Sequence, residues 1–325
     1  MVTNERIRWG LLGTARINEK LIRGARASAT AEVVAVGSRS AEKGRAHADG
    51  FGIARVHDSY EALLWDPDVD AIYVSVPNAL HHEWTLKAIA AGKHVLCEKP
   101  YTRRPAEVDV AWDAADAAGV VLMEAFMWRH TPQADRIVEL LPRIGELVSI
   151  TATFSHRLRD DGDIRVNRAL DGGSLMDVGC YCVSGARLMA GEEPEMVFAR
   201  EVTTSDGVDR RMTALLRFPS GVSATFHCGF DSASESLAAI GRDGTISLPD
   251  PWHSTQGLIF VDGEEDRVEP LNPYGCELDD MAAAIRGERA PRLGRADAMA
   301  QARVIEALYR SAADAVPVSL AGVPG

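Results

Sequence analysis

A change of hydrophobic period near residue 145 constrains this chain more than any other feature. Before it, short apolar runs at 7–12, 32–36, 71–76, 95–97 and 120–124 alternate with segments of helical spacing. Those segments are Ile17/Leu21/Ile22, 41–50, a short one at 62–64 behind Ser59 as N-cap, 80–91 and 105–118; a weak third strand lies near 53–56. Apolar strands without alternation, each followed by a helix, predict a parallel sheet covered on both faces. After residue 145 the period is two. Ile150, Ala152 and Phe154 alternate with Thr151, Thr153 and Ser155, and Met212–Phe218 and Val222–Phe230 behave alike. Pro219-Ser220-Gly221 reads as a hairpin turn and 241–244 as another. A helical insert at 175–189 and a helix pair at 278–286 and 296–312 complete the pattern. The expected organisation is an α/β doubly wound domain over 1–125 and an α+β domain over 126–325 with an open, mostly antiparallel sheet.

Composition narrows the function classes. A net charge of −12 over 325 residues opposes a general nucleic-acid or phospholipid partner, because phosphates would repel it. No apolar run reaches membrane-spanning length, and the opening MVTNERIRWG lacks the apolar core of a leader. The five cysteines (97, 180, 182, 228, 276) are odd in number and lack metal-ligand spacing. Free thiols in a reducing cytoplasm, and no metal, are expected. Cys180 and Cys182 would share one face if they lay in a strand.

GLLGTARIN at 10–18 follows the first strand where a G-x-G-x-x-G phosphate loop would stand, but Ala15 and Asn18 occupy the second and third glycine places. Gly13 can make the turn, and Ala15 adds one methyl at the closest approach. Asn18 would need a slightly wider gap between helix and sheet. Taken alone, the loop suits a cofactor or a plain strand–helix turn that needs glycine for steric reasons. The second strand ends in Gly37-Ser38-Arg39-Ser40, with no acid before Glu42. A hydroxyl and a guanidinium suit a 2′-phosphate, so NADP is expected, with NAD as the alternative. Gly13, Thr14, Ala15, Arg16, Ile17, Ser38 and Arg39 are the cofactor candidates; a solvated Arg39 is the bland alternative.

Residues 76–100, VPNALHHEWTLKAIAAGKHVLCEKP, then bring a resemblance. With Pro77-Asn78, His81, Ala91-Gly92-Lys93-His94 and Glu98-Lys99-Pro100, this stretch resembles the glucose–fructose oxidoreductase/inositol dehydrogenase (Gfo/Idh/MocA) family. GGSLMDVGCY at 172–181 and GRDGTISL at 241–248 are similar to later blocks of that family, in the same order. The resemblance implies a Rossmann domain plus an open-sheet domain with the active site between them. It also implies a Lys99–Pro100 bond that is commonly cis, Glu98 and Lys99 beside the nicotinamide, and Pro77, Asn78 and His81 near the cofactor, although His81 could equally orient the Asn78 loop. His94 is read as structural. Tyr181, where many members carry His, looks like the branch with xylose dehydrogenases and dimeric dihydrodiol dehydrogenase. Tyr181 matches that branch's acid/base residue, Lys99 its lysine and Asp177 its carboxylate.

The chemistry is coherent. Hydride transfer at a carbinol carbon needs a proton to move at its oxygen. A phenol of pKa ≈ 10 is a poor base near neutrality, and lowering it by about two units needs ~2.7 kcal/mol. An ammonium about 4 Å away at an effective dielectric near 20 supplies ~4 kcal/mol before desolvation losses. Trp128, Arg129, Arg165 and Asp177 are candidate substrate contacts, with Phe126 beside them and Asp231 a weaker one; aromatic faces and forked donors suit a pyranose. Packing is the alternative for Trp128. The expected activity is an NAD(P)-dependent sugar dehydrogenase, on xylose or glucose. The alternatives are a trans-dihydrodiol dehydrogenase, a keto- or anhydro-sugar reductase, a silent NADP sensor or a structural subunit. A homodimer or homotetramer through the C-terminal sheet is implied by the resemblance.

Overall fold

The computed structural model describes residues 6–160 and 162–320. The first five residues of the stretch inspected for a leader lie outside them. The chain forms two compact units. The first contains residues through Thr102, Ala106–His130 and Asn272–Ala298; the second contains Arg103–Pro105, Thr131–Leu271 and the chain from Met299.

In the first unit, β1 (Ile7–Leu12), β2 (Ala31–Gly37), β3 (Arg55–His57), β4 (Ala71–Val74), β5 (His94–Glu98) and β6 (Leu122–Ala125) form a sheet in the order β3-β2-β1-β4-β5-β6. Every neighbouring pair is parallel. The connecting helices are α1 (Asn18–Ala27), α2 (Ala41–Phe51), α3 (Tyr60–Leu64), α4 (His81–Ala90) and α5 (Pro105–Ala118). Trp9, Leu11, Leu12, Ile72, Tyr73, Val74, Val95, Leu96 and Cys97 are all buried, as expected for strands covered on both faces. Ser40 and Ser59 cap α2 and α3 by accepting from the Lys43 and Ala62 amides.

In the second unit, α6 (Pro132–Leu140) leads into β7 (Leu147–Ser155). After α7 (Cys180–Ala190) come β8 (Met196–Thr203), β9 (Asp209–Arg217), β10 (Ser223–Gly229), β11 (Ser234–Gly241), β12 (Thr245–Leu248), β13 (Leu258–Val261) and β14 (Glu264–Arg267). The last described elements are α8 (Pro273–Ile285), which belongs to the first unit, α9 (Arg295–Asp314) and β15 (Val318–Ser319). The sheet order is β14-β13-β12-β11-β7-β10-β9-β8-β15. Within this sheet, only β7/β10 is a parallel pair among the described residues. The two expected turns close hairpins, with the Phe218 amide on the Val222 carbonyl and the Gly241 amide on that of Gly244. The period of two is visible in burial: Ile150, Ala152, Met212, Ala214, Leu216, Ala224, Phe226 and Cys228 are buried, while Thr151, Arg211, Thr213, Arg217 and Thr225 are exposed.

Cys180 and Cys182 open α7, inside the helical insert expected at 175–189, and both are buried and outside any disulfide. One reading changes. Residues 272–298 belong with the first sheet, although the period pattern placed them in one continuous stretch from 126. The cause is packing: Gly24 on α1 lets α8 approach until an added Cβ would stand 2.6 Å from the Tyr274 Cβ. The Ser28 and Thr30 hydroxyls also donate to Asp279 on α8, at 2.5 and 2.6 Å.

Candidate active site

Strand order reverses between β1 and β4, so the crevice at their carboxyl ends is where an open α/β sheet takes its ligand. Gly13, with φ +107°, makes the turn there, and its amide donates to the Gly37 carbonyl at 2.9 Å. No L side chain adopts that conformation readily, and an added Cβ would approach the Tyr60 hydroxyl. Thr14, Ala15 and Ile17 are half-buried and Arg16 exposed, and together they lead into the N-terminus of α1. Asn18 is 0 % exposed. Its Nδ2 donates to the Gly13 carbonyl at 2.9 Å, and its Oδ1 accepts from the Ser75 hydroxyl at 2.7 Å. The asparagine therefore fills the gap and ties the loop to the end of β4. At the end of β2, Ser38 is buried and Arg39 exposed, with its guanidinium 5.7 Å from the Tyr60 ring centroid. A turned glycine, a helix N-terminus and these two donors, with no carboxylate between Gly37 and Ala41, fit a dinucleotide carrying a 2′-phosphate.

Further along the sheet, Pro77 and Asn78 open a turn before α4. His81 is fully buried; its Nδ1 faces the Pro100 carbonyl at 3.0 Å and its Nε2 the Val76 carbonyl at 2.9 Å. A neutral ring donates to only one of these carbonyls, and burial lowers its pKa to about 4. His81 thus braces the 76–81 loop against Pro100. The Lys99–Pro100 bond is cis, and Lys99, half-buried, follows β5 directly. The Glu98 carboxylate accepts from the Tyr73 hydroxyl. His94 accepts the Val121 amide at 2.9 Å, a structural use. Phe126 and Trp128 are fully enclosed, so no face of either ring is open to a sugar. Arg129 lies 3.7 Å from Asp297.

In the second unit, the segment Gly172–Tyr181 is positioned by Asp209. This buried carboxylate accepts from the Leu175 amide (2.7 Å), the Ser174 hydroxyl (2.8 Å) and the Tyr309 hydroxyl (2.9 Å). Gly173, with φ +134°, permits the approach, because a Cβ there would stand 2.0 Å from Asp209 Oδ1. Leu175–Gly179 then winds as a π-helical turn, a form frequent at functional sites, and α7 continues it. Tyr181 is buried, its ring edge-on to Phe154 at 5.2 Å and 6.0 Å from Trp252. Asp177, one turn earlier, is half-buried. Its Oδ2 meets His156 Nε2 at 2.9 Å and accepts from Arg165 Nε at 3.0 Å. Asp177 is the main cause that raises the Arg165 pKa. Arg165 is held a second time by Asp163. Asp231 is committed to Arg210 and Arg211 on the surface. Glu235, Asp250 and His253 also approach one another, but Asp250 Oδ2 is already taken by the Thr255 amide and hydroxyl.

Sequence reasoning missed His156, the Phe154/Trp252 wall, Asp209 and the bonds of Asn18. His156 stands just past the end of β7, a usual place for a ligand-facing side chain, and that was the available signal. Nothing in the sequence marked Trp252, which lies 98 residues from Phe154 in a stretch without a period.

Residues 7–126 match the model of the oxidoreductase family, NAD-binding Rossmann fold (GFO/IDH/MocA), and residues 142–247 that of the GFO/IDH/MocA C-terminal domain. The chain is 38% identical over 323 residues to a D-xylose 1-dehydrogenase (NADP+) of Haloferax volcanii, across 96% of this chain and 99% of the relative. It is 34% identical to a trans-1,2-dihydrobenzene-1,2-diol dehydrogenase of Xenopus laevis, across 82% and 83%. An aldose–aldose oxidoreductase of Caulobacter crescentus, solved with glycerol, superimposes with a TM-score of 0.89 at 29% identity, across 97% and 100%. A 3-ketoreductase of Actinomadura kijaniata, solved with NADP and TDP-benzene, gives 0.89 at 29% identity, across 94% and 98%. Solved variants of that ketoreductase include one with a tyrosine replaced by phenylalanine and others with a lysine replaced by alanine or glutamate.

Proposed function

This chain belongs to the GFO/IDH/MocA oxidoreductase family, and on that premise we propose that it moves a hydride between NADP and a carbinol or carbonyl carbon of a pyranose, with Tyr181 as acid–base and Lys99 as its electrostatic partner. The nicotinamide, when bound, supplies the hydride acceptor or donor, and everything else falls to the side chains. Gly13, Thr14, Ala15, Arg16 and Ile17 hold the pyrophosphate at the start of α1, and Ser38 and Arg39 take the 2′-phosphate. Pro77, Asn78 and His81 shape the next loop, and Glu98 fixes the end of β5 through Tyr73.

The observation that carries the reading is the setting of Tyr181. A phenol held edge-on by Phe154, beside Trp252 and one turn after an ion-paired carboxylate, cannot swing away and is shielded from water. Tyr181 takes the proton of the reacting hydroxyl in oxidation and returns it in reduction. Lys99 stabilises the tyrosinate; Asp177 and Arg165 hold neighbouring hydroxyls. The lysine and tyrosine replaced in the solved ketoreductase variants are the same two residue types. Similarity to a D-xylose 1-dehydrogenase supports an aldopyranose as substrate. Similarity to the 3-ketoreductase supports a second reading, in which the working direction is reduction of a keto-sugar.

The test follows nicotinamide absorbance with NADP+ and with NAD+ against aldoses, polyols and trans-diols, then with NADPH against keto-sugars. Turnover lost in Tyr181→Phe, with NADP affinity retained, is the expected result. Tight NADP binding without turnover on any of these would overturn it.

A further inference from the structure

A cluster of ionisable groups lies behind Glu98, inside the first unit and outside the machinery just described. Glu277 on α8 is 0 % exposed, and among the described residues neither of its carboxyl oxygens has a hydrogen-bond partner. The ionisable groups that face it are Glu98 from β5, Tyr73 from β4, Tyr274 and Asp280 from α8 and His130 from the turn after β6. None of the first four is a cation, and burial holds His130 neutral. An isolated buried carboxylate costs several kcal/mol, so Glu277 carries its proton; burial and the neighbouring acids push its pKa well up.

That proton has a route. His130 is buried, its Nδ1 bonded at 2.5 Å to Asp280 Oδ2, and Asp280 is ion-paired with the half-exposed Arg289 and Arg292. With Asp280 ionised by the two guanidiniums, the imidazole Nδ1 carries the hydrogen and Nε2 bears a lone pair. Nε2 has no hydrogen-bond partner among the described residues and stands 3.9 Å from Glu277 Oε1. A buried acid with no acceptor thus faces a buried acceptor with no donor, a small side-chain movement apart.

We propose that Glu277, His130 and Asp280 form a proton relay between the Glu98 carboxylate and the surface at Arg289 and Arg292, which changes the charge behind Glu98–Lys99–Pro100 by one proton. In the outward step, Glu277 gives its proton to His130 Nε2 while the Nδ1 proton passes to Asp280. The imidazole returns to neutrality, Glu277 becomes a carboxylate, and Asp280 releases the proton to water because its arginines favour the ionised form. The inward step is the reverse. The inference rests on the proposed placing of a nicotinamide beside Glu98. A cationic ring there draws the proton out, and a neutral reduced ring lets it return.

The experiment is calorimetric binding of NADP+ and of NADPH in two buffers of different ionisation enthalpy, with the whole protein and Glu277→Gln. Wild type should release up to about one proton more for NADP+ than for NADPH, with NADP+ affinity rising with pH. In Glu277→Gln the difference should vanish and the pH slope flatten, with NADPH affinity within about threefold. Equal proton counts in wild type, or a difference that survives the substitution, would overturn the relay while leaving the proposed function standing. Binding of neither form would overturn both. Should the variant fail to fold, infrared difference spectra of wild type decide: a carboxylic-acid C=O band lost on adding NADP+ supports the relay, and an unchanged acid region refutes it.

Discussion

Replacing Asn18 by glycine would restore the third glycine of the expected phosphate loop, yet the structure says that it damages the site. Asn18 Nδ2 satisfies the Gly13 carbonyl and Oδ1 accepts the Ser75 hydroxyl, in a place without water access. Glycine removes both bonds. Each buried hydrogen bond contributes about 1 kcal/mol net, and each group left unpaired costs about 1–3 kcal/mol. Ser75 keeps a long contact with the Leu12 carbonyl at 3.5 Å, so its share is the smaller. Glycine in the first turn of α1 adds up to ~1 kcal/mol of backbone entropy. The sum is roughly 2–5 kcal/mol. Urea unfolding of the ligand-free protein, followed by circular dichroism, should show that loss. Fluorescence titration should show NADPH affinity falling with it, because the Gly13 turn is no longer anchored to β4. In a cycle of Asn18→Ala with Ser75→Ala, the coupling should be about 1 kcal/mol. A glycine variant as stable as wild type, binding NADPH as tightly or better, would refute the claim that the side chain replaces the glycine's packing role.

Other outcomes are expected. Tyr181→Phe should lower kcat by roughly 10²–10⁴-fold while leaving the NADP dissociation constant unchanged, checked by steady-state kinetics beside calorimetry. Arg39→Ala should weaken NADP binding by roughly 10–100-fold, the worth of about 1.5–3 kcal/mol in charged hydrogen bonds, and leave NAD binding alone. His81, neutral and buried with a pKa of about 4, binds fewer protons folded than unfolded between that value and ~6.5. Its contribution to stability is therefore complete above ~6.5 and lost as the pH falls toward 4, by roughly 3 kcal/mol in all; unfolding of His81→Gln should lack that one-proton slope.

The parallel sheet was legible because burial on both faces leaves runs such as Ala71–Val74 with no polar alternation, and the second sheet because one polar face imposes a period of two on β9 and β10. The cis Lys99–Pro100 bond came through the family resemblance, and Tyr181 was placed on a helix by its insert pattern. What stayed hidden depends on partners far apart in the chain. Asp209 anchors Leu175, Trp252 donates its indole hydrogen to the Thr153 carbonyl, and Asp279 holds Ser28, and no local spacing encodes any of the three. Periodicity also cannot say which sheet a helix covers, which is why 272–298 was assigned by sequence order. Trp128 shows the converse: residue type suggested a ligand contact, and complete enclosure makes it core.

That return of α8 to the first sheet has a consequence for how the protein comes into being. The strand order of the first unit is complete by Ala125, but the niche at Gly24 and the hydroxyls of Ser28 and Thr30 wait for Tyr274 and Asp279. A ribosome adding about 5–20 residues per second makes the intervening stretch for many seconds while the α1 surface lies bare. The gene therefore cannot be cut after residue 130 to give a finished nucleotide-binding module. Such a fragment would carry an open apolar seam, and joining 272–298 to it by a short designed linker is the way to close that seam.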